Sequence, residues 1–158
     1  DFYWDTSFTF QQYEALEMQM QQALAYNLPI VIHTRNAMRQ TIDCVKPFAF
    51  RGLKGIFHCF GDTYETAAEI IDMGFYLGIG GVLTYKKSGL DAVLKKINME
   101  NIVLETDAPY LTPVPFRGKR NESAYIVHVA EKLADIKHIS IEDVATQTTA
   151  NAEKIFGC

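Results

Sequence analysis

No apolar run in the 158 residues approaches the ~20 consecutive residues that a helix needs to cross a bilayer, and no secretory signal is visible. The sequence therefore argues against a membrane partner. Cysteine is scarce. Cys44, Cys59 and Cys158 are odd in number, scattered, and not spaced as a zinc motif. That pattern weighs against a disulfide scaffold and points to reduced thiols in a cytoplasmic setting. Positive charge is also in short supply: 15 Lys and Arg against 19 Asp and Glu give a net charge of −4. A protein that grips nucleic acid by a broad basic face is thereby disfavoured. An enzyme that touches one or two phosphates in a cleft is not. The first residue is Asp rather than Met, and DFYWD reads like the middle of something.

What is present is an ordinary globular composition, 48% hydrophobic and 22% charged, in a length sufficient for one domain with a real core. Four β-rich, nearly continuously apolar segments stand about 20 to 26 residues apart: Pro29–His33, Gly55–Phe60, Phe75–Gly80 and Asn101–Asp107. This is the spacing of βα units in a parallel sheet. Helical patterns lie between them. Thr9 with Gln12 predicts a capping box, Asn36 an N-cap with Pro47 as the stop, Asp62 with Glu65 a further start with Gly74 as its end, and Ser88 a short helix. Two more helices are expected near 122–137 and 141–156, the second with Ser140 as N-cap, Asp143 at the box position and Gly157 behind it. Repeating βα units with both strand faces apolar mean a doubly wound sheet or a (β/α)8 barrel. Four strands cannot close a barrel, which typically takes ~250 residues. A half-barrel reading therefore predicts missing material, whereas a small open α/β sandwich does not.

Three of the four strands finish in a side chain able to bind metal: His33, His58 and Asp107. Sites in parallel α/β folds form at the C-terminal strand ends, and imidazole with carboxylate suits zinc, manganese or another divalent ion. Strand alternation puts Glu105 and Asp107 on one face and sends His58 and Cys59 to opposite sides, against a Cys–His nucleophilic pair. His128, at helical spacing from Ala124, Glu131 and Lys132, reads as a surface residue, His138 as solvated, and Cys44 as a core thiol. Arg35 stands two residues beyond His33, and Arg117, Lys119 and Arg120 follow Asp107 with Asn121 behind them. Such an overhanging cationic loop suits a phosphate oxyanion. Gly78–Gly81 lacks the spacing and the lysine of a phosphate loop, so close packing or an open pocket floor is expected there.

PIVIHTRNA, GIFHCFGD, GIGGVLTYKKS, IVLETDAPYLTP and FRGKRNES, in this order, resemble the TatD family of metal-dependent hydrolases, over Asp1 to Phe156. The resemblance implies a TIM barrel of the amidohydrolase type, with one or two divalent ions (Mg, Mn or Zn) at the C-terminal strand ends. It implies hydrolysis of phosphodiesters in DNA of the 3′-to-5′ exonuclease kind. It makes His33, His58 and Asp107 metal ligands, and Asp107 also the catalytic base that orients the attacking water. Glu105 would stand behind a ligand and fix it. Arg35, Arg117, Lys119 and Asn121 would meet the substrate, and Tyr110 or Phe116 could stack a terminal base, with packing under the loop the expected role of Phe116. In the family, a His-x-His pair on the first strand and a glutamate ending the fourth complete the site. No His-x-His occurs here, and DFYWD resembles the stretch just after that glutamate. The chain, 1–158, is therefore expected to be strands five to eight with their helices, the C-terminal half of one barrel, needing the N-terminal half to complete the metal shell. Two departures, Ser123 where the family often has proline and Gly61-Asp62 where it often has Ser-Gly, touch no ligand. The competing readings are hydrolysis of an amide or other ester on the same scaffold, which has little use for Arg117 and Lys119, and a catalytically empty fragment.

Overall fold

The computed structural model describes residues 1–157; Cys158, the third cysteine, lies outside the described residues. The chain runs through α1 (Thr9–Tyr26), β1 (Ile30–Ile32), α2 (Met38–Ala49), β2 (Gly55–Phe57), α3 (Tyr64–Asp72), β3 (Tyr76–Ile79), α4 (Leu90–Leu94), β4 (Ile102–Leu104), α5 (Ile126–Lys137) and α6 (Ile141–Phe156). Short 3-10 turns occupy Gly81–Thr84, Met99–Asn101 and Ser123–Tyr125. The strands form one parallel sheet in the sequential order β1-β2-β3-β4, with Ile32 level with Phe57 and Gly78 level with Val103. This is the α/β arrangement expected from the spacing of the apolar runs: each parallel neighbour requires a crossover, and a helix supplies it.

The core lies where both strand faces meet helices. Phe57, Leu77, Ile79 and Ile102 are fully buried and packed with Ile42 and Val45 of α2, Ile70 of α3, Leu133 of α5 and Val144 of α6. Asn151 on α6 is buried and donates from Nδ2 to the carbonyls of Met99 and Ile102, both 2.7 Å, which pins the helix to the entrance of β4. Lys137, the last residue of α5, donates to the carbonyls of Leu94 and Ile97 at the end of α4. At the other edge the sheet is thinly covered. Val31 on β1 is 55% exposed, and α1 buries only Met20 and Ala23 while Phe8, Phe10, Met18 and Tyr26 face outward.

Several local expectations fail for identifiable reasons. Thr9 does not cap α1; its hydroxyl donates to the carbonyl of Thr6, and the Gln12 side chain accepts from the terminal amino group of Asp1. Asn36 adopts a left-handed backbone (φ 51°) and Ala37 takes the N-cap position of α2 without a side-chain bond. Pro47 does not stop α2, which runs on to Ala49; the missing N–H costs the helix one bond, to the Asp43 carbonyl, and the helix ends two residues later. Thr63, one residue past Asp62, is the cap of α3, and Gly89, one past Ser88, is the N-cap of α4. Gly74 (φ 82°) does end α3, and Ser140 caps α6 by accepting from the Asp143 amide at 3.0 Å, with Gly157 left-handed at the far end.

Candidate metal centre

The strands are shorter than the apolar runs, yet the ladder continues past them. The His58 amide donates to the Ile32 carbonyl (2.9 Å) and the Glu105 amide to the Ile79 carbonyl (3.1 Å), so both side chains are still placed by the sheet. Asp107 is not. It stands three residues beyond β4 with φ 50°, a left-handed turn in which strand alternation no longer applies. Its nearness to Glu105 and His58 is therefore built by the turn and not by a shared face, correcting the expectation from alternation. Cys59 is likewise left-handed (φ 50°) and lines a different cleft with Thr34, Asn36 and Asp62. Burial first, then the Glu105 and Asp107 carboxylates, push its thiol up to about 12, so it is not a nucleophile beside His58 at neutral pH.

Glu105, His58 and Asp107 form a relay. The Glu105 carboxylate engages Nδ1 of His58, and Nε2 of the same ring lies 3.9 Å from Asp107 Oδ1. With Nδ1 carrying the proton to Glu105, the neutral ring keeps a free lone pair on the nitrogen nearest Asp107. This is how a carboxylate behind a histidine fixes its tautomer for metal binding. The hydrogen bond to Glu105, and the nearby carboxylates, raise the pKa of His58 against the opposing effect of burial. The other Glu105 oxygen, Oε1, is buried with no hydrogen-bond partner, and a Cβ on Gly80 would come within 2.9 Å of it. Glycine in the Gly78–Gly81 run thus makes room for the relay. Gly78 lies under the His58 backbone, and a Cβ on Gly81 would sit 2.0 Å from the Leu111 carbonyl. This agrees with the close packing expected there.

His33 completes the group. Its ring centroid is 5.7 Å from that of His58, and its Nε2 lies 3.0 Å from Asp1 Oδ2. Burial lowers its pKa, helped by His58 and the terminal amino group and opposed by Asp107. His33, His58 and Asp107 are thus brought to one end of the sheet, and two neutral imidazoles with a carboxylate are donors that suit a divalent ion. Among the described residues, however, no three His, Cys, Asp or Glu side chains converge closely enough to hold an ion alone. The set fits a metal as part of a shell, not as a whole one.

The cations expected at substrate are exposed but individually steadied. Arg35 lies over the Tyr3 ring, 3.4 Å from its centroid, Arg117 over Tyr85 at 4.1 Å, and Lys119 near Phe116 at 5.7 Å. Asn121, also expected at the substrate, is placed differently from the cations. It is 3% exposed, its Nδ2 donates to the carbonyls of Thr106 and Tyr110 at 2.6 Å each, and its Oδ1 accepts from the Glu122 amide at 2.9 Å. With its donors and acceptor engaged, it clamps the loop that carries Asp107. Phe116 stacks on Tyr125 (4.5 Å, 13°), which is packing, whereas Tyr110 is 71% exposed. His128 is half-buried, paired with Glu131 at 3.1 Å and packed against Phe116, so it is less of a surface residue than its helical position implies; His138 is exposed. Sequence reasoning missed Tyr85, the ring that carries Arg117, although it adjoins the Gly78–Gly81 run.

Comparison with known proteins gives the family. The family model for TatD related DNase matches residues 1–157. A Bacillus subtilis (strain 168) protein called uncharacterized metal-dependent hydrolase YabD is 41% identical over 157 residues, covering 99% of this chain and 62% of that protein. The 3′-5′ ssDNA/RNA exonuclease TatD of Citrobacter rodentium is 33% identical, over 92% of this chain and 58% of that protein. The chain therefore spans about three fifths of the length of the curated relatives it matches. The crystal structure of YJJV, a TatD homologue from Escherichia coli K12, superposes on all of this chain and 61% of that one with a TM-score of 0.93 at 24% identity. The fold is thus shared even where the sequence has diverged. Covered from its first residue to Gly157, this chain belongs to the family of TatD related DNases.

Proposed function

We propose that this chain carries the C-terminal half of the active site of a metal-dependent hydrolase that cuts phosphodiester bonds in nucleic acid, in the manner of a 3′-to-5′ exonuclease. The observation that carries this reading is the Glu105–His58–Asp107 relay, which presents a free imidazole nitrogen and a carboxylate to the same point. His33, His58 and Asp107 would hold one side of one or two divalent ions (Mg, Mn or Zn). The remaining donors would come from outside these four strands, which in this reading are the last four of a (β/α)8 barrel. The chain's share of its relatives' length and the uncovered β1 edge at Val31 support that reading. A cytoplasmic setting belongs to it too, since Cys44 and Cys59 are free thiols.

A bound divalent ion would supply electrophilic polarisation of phosphoryl oxygens and lower the pKa of water, towards ~7 for zinc. Asp107 receives the proton of the attacking water and aligns its lone pair on phosphorus. Glu105 holds the His58 ring so that Asp107 keeps a fixed neighbour. Arg117, Lys119 and Arg35 meet non-bridging oxygens of the substrate's phosphates, Lys119 and Arg35 at the bond that is cut and Arg117 further along the same loop, a role with little meaning for a neutral amide or ester. Tyr110 offers an exposed ring to a terminal base. The test is Asp107→Asn in the intact protein, assayed on single-stranded DNA with added Mg²⁺ or Mn²⁺. Turnover should drop by about two orders of magnitude or more, the size expected of a lost general base, with part of the metal retained. Wild-type rates would remove Asp107 from the chemistry.

A further inference from the structure

The turn after β3 and the loop after β4 meet in a cleft of about 470 Å³ lined by Tyr85, Lys86, Lys87, Ser88, Val114 and Arg117. Three of the six are cations and none is an acid. Among the described residues no carboxylate pairs with any of the three, whereas Arg39 is held by Asp43 and Glu69, and Lys132 by Asp91. In a chain of net charge −4, three exposed cations around one acid-free hollow make a locally positive field that favours an anion.

The cleft is also built, not merely charged. The Arg117 guanidinium lies over Tyr85, 4.1 Å from the ring centroid, which steadies it while leaving its N–H fork free. The Tyr85 hydroxyl donates to the Thr112 carbonyl at 3.1 Å, fixing the ring from below. The Val114 amide donates to Thr84 Oγ1 at 2.9 Å, and that hydroxyl donates to the Gly81 carbonyl at 2.7 Å, so the two walls are tied together. Both walls follow C-terminal strand ends, the end of the sheet that carries Asp107, and Arg117 belongs to the same loop as Asp107.

We propose that this cleft is a second phosphate subsite, in which Lys86, Lys87 and Arg117 hold a phosphodiester of a single-stranded nucleic acid other than the one presented to Asp107. The proposal rests on the hydrolase reading above and deepens it: the substrate is a strand and not a dinucleotide or a free phosphate monoester. The room available exceeds a single phosphate, and the Phe116–Tyr125 stack with Lys119 beside it continues the same loop.

The experiment compares the intact protein with a Lys86→Ala/Lys87→Ala variant and with a Lys54→Ala/Lys154→Ala control. The control removes the same charge from a different cleft, which Lys54 and Lys154 line together. Both lysines of the test pair are exposed, so folding should not be at issue. Binding of labelled oligothymidylates of two and eight nucleotides is read by anisotropy in EDTA, and kcat/KM for each length is read with Mn²⁺. The Lys86/Lys87 variant should lose about tenfold of its preference for the longer strand, and its log K against log salt slope should flatten by roughly 0.7 per lysine. The control should keep both. An unchanged length preference, or an equal loss in the control, overturns the subsite. Displacement of the eight-mer by inorganic phosphate or thymidine monophosphate at equal concentration also overturns it, in favour of a monoester site. If the wild-type protein cleaves neither length yet the variant still loses its binding preference for the eight-mer, the hydrolase reading fails and the strand-binding cleft stands.

Discussion

Replacing Asn121 by alanine removes three hydrogen bonds at once and separates a clamp from a substrate contact. The side chain is 3% exposed, and it donates to the carbonyls of Thr106 and Tyr110 at 2.6 Å each while accepting from the Glu122 amide at 2.9 Å. At about 1 kcal/mol per neutral bond the loss is about 3 kcal/mol. For a domain of roughly 150–250 residues, 1 kcal/mol moves the Tm by about 2–4 °C, so Asn121→Ala should melt roughly 6–12 °C below the parent. Asn121→Asp keeps the volume but sets a carboxylate oxygen against two carbonyl oxygens, so it should melt at least as low. Differential scanning calorimetry gives the shift, and steady-state kinetics on an oligonucleotide gives kcat and KM. Because the clamp brackets Asp107, kcat should fall along with stability. Variants that melt within about 2 °C of the parent while KM rises would refute the clamp and return Asn121 to the substrate.

Glu105→Gln replaces the acceptor that fixes the His58 tautomer, and divalent-ion affinity measured by calorimetry should weaken by about 10–100-fold; unchanged affinity would show that the relay does not orient a ligand. Gly81→Ala puts a Cβ 2.0 Å from the Leu111 carbonyl and 3.2 Å from the Pro113 nitrogen, both backbone, so soluble yield and Tm should fall sharply, and a variant that melts like the parent would mean the two loops do not pack as described. Cys59, pushed up to about 12, and Cys44, raised by burial and then by Asp43 and Glu17, are protonated at pH 7.5. Peptide mapping after brief iodoacetamide treatment should find both slower than free cysteine, and fast labelling of Cys59 would remove the argument against a thiolate there.

How far these features can be read from sequence varies from residue to residue. The parallel sheet is legible because the four apolar runs recur at βα spacing and no polar alternation competes. Helix α6 is legible down to its ends, because Ser140, Asp143 and Gly157 each act on their own neighbours. The starts of α1 and α2 are not. Thr9 and Asn36 have capping chemistry, but a nearby carbonyl takes the hydroxyl of Thr9, and Asn36 turns left-handed before Ala37. Capping signals are weak where the preceding chain offers the same side chain another partner. The Tyr85 cleft escaped for another reason. Its cations are local in sequence only in part, and the 3-10 turn that brings Lys86 and Lys87 to Arg117 leaves no periodicity to read.

The candidate site divides along the same line. His58 and Glu105 are both placed by the hydrogen-bonded ladder, on strands that flank β3, and Gly78 and Gly80 between them leave the room in which the two side chains meet. Asp107 has left the ladder. Its left-handed backbone (φ 50°) is one that Asp tolerates better than most residues but still adopts at a cost, about 1–2 kcal/mol for an ordinary L-residue. Something must hold it there: the Tyr110 amide donates to the Asp107 carbonyl at 2.8 Å, and Asn121 grips the carbonyl before Asp107 and one after it. The relay therefore has one half placed by local strand geometry and another placed by a tertiary contact spanning fifteen residues from Thr106 to Asn121. A change at Asn121 should act on Asp107 without touching His58: the Glu105–His58 pair keeps its ladder, and only the carboxylate that faces Nε2 is released. Loss of turnover with the pair intact would mark the loop from Thr106 to Asn121, and not the sheet, as the element that sets the reacting geometry.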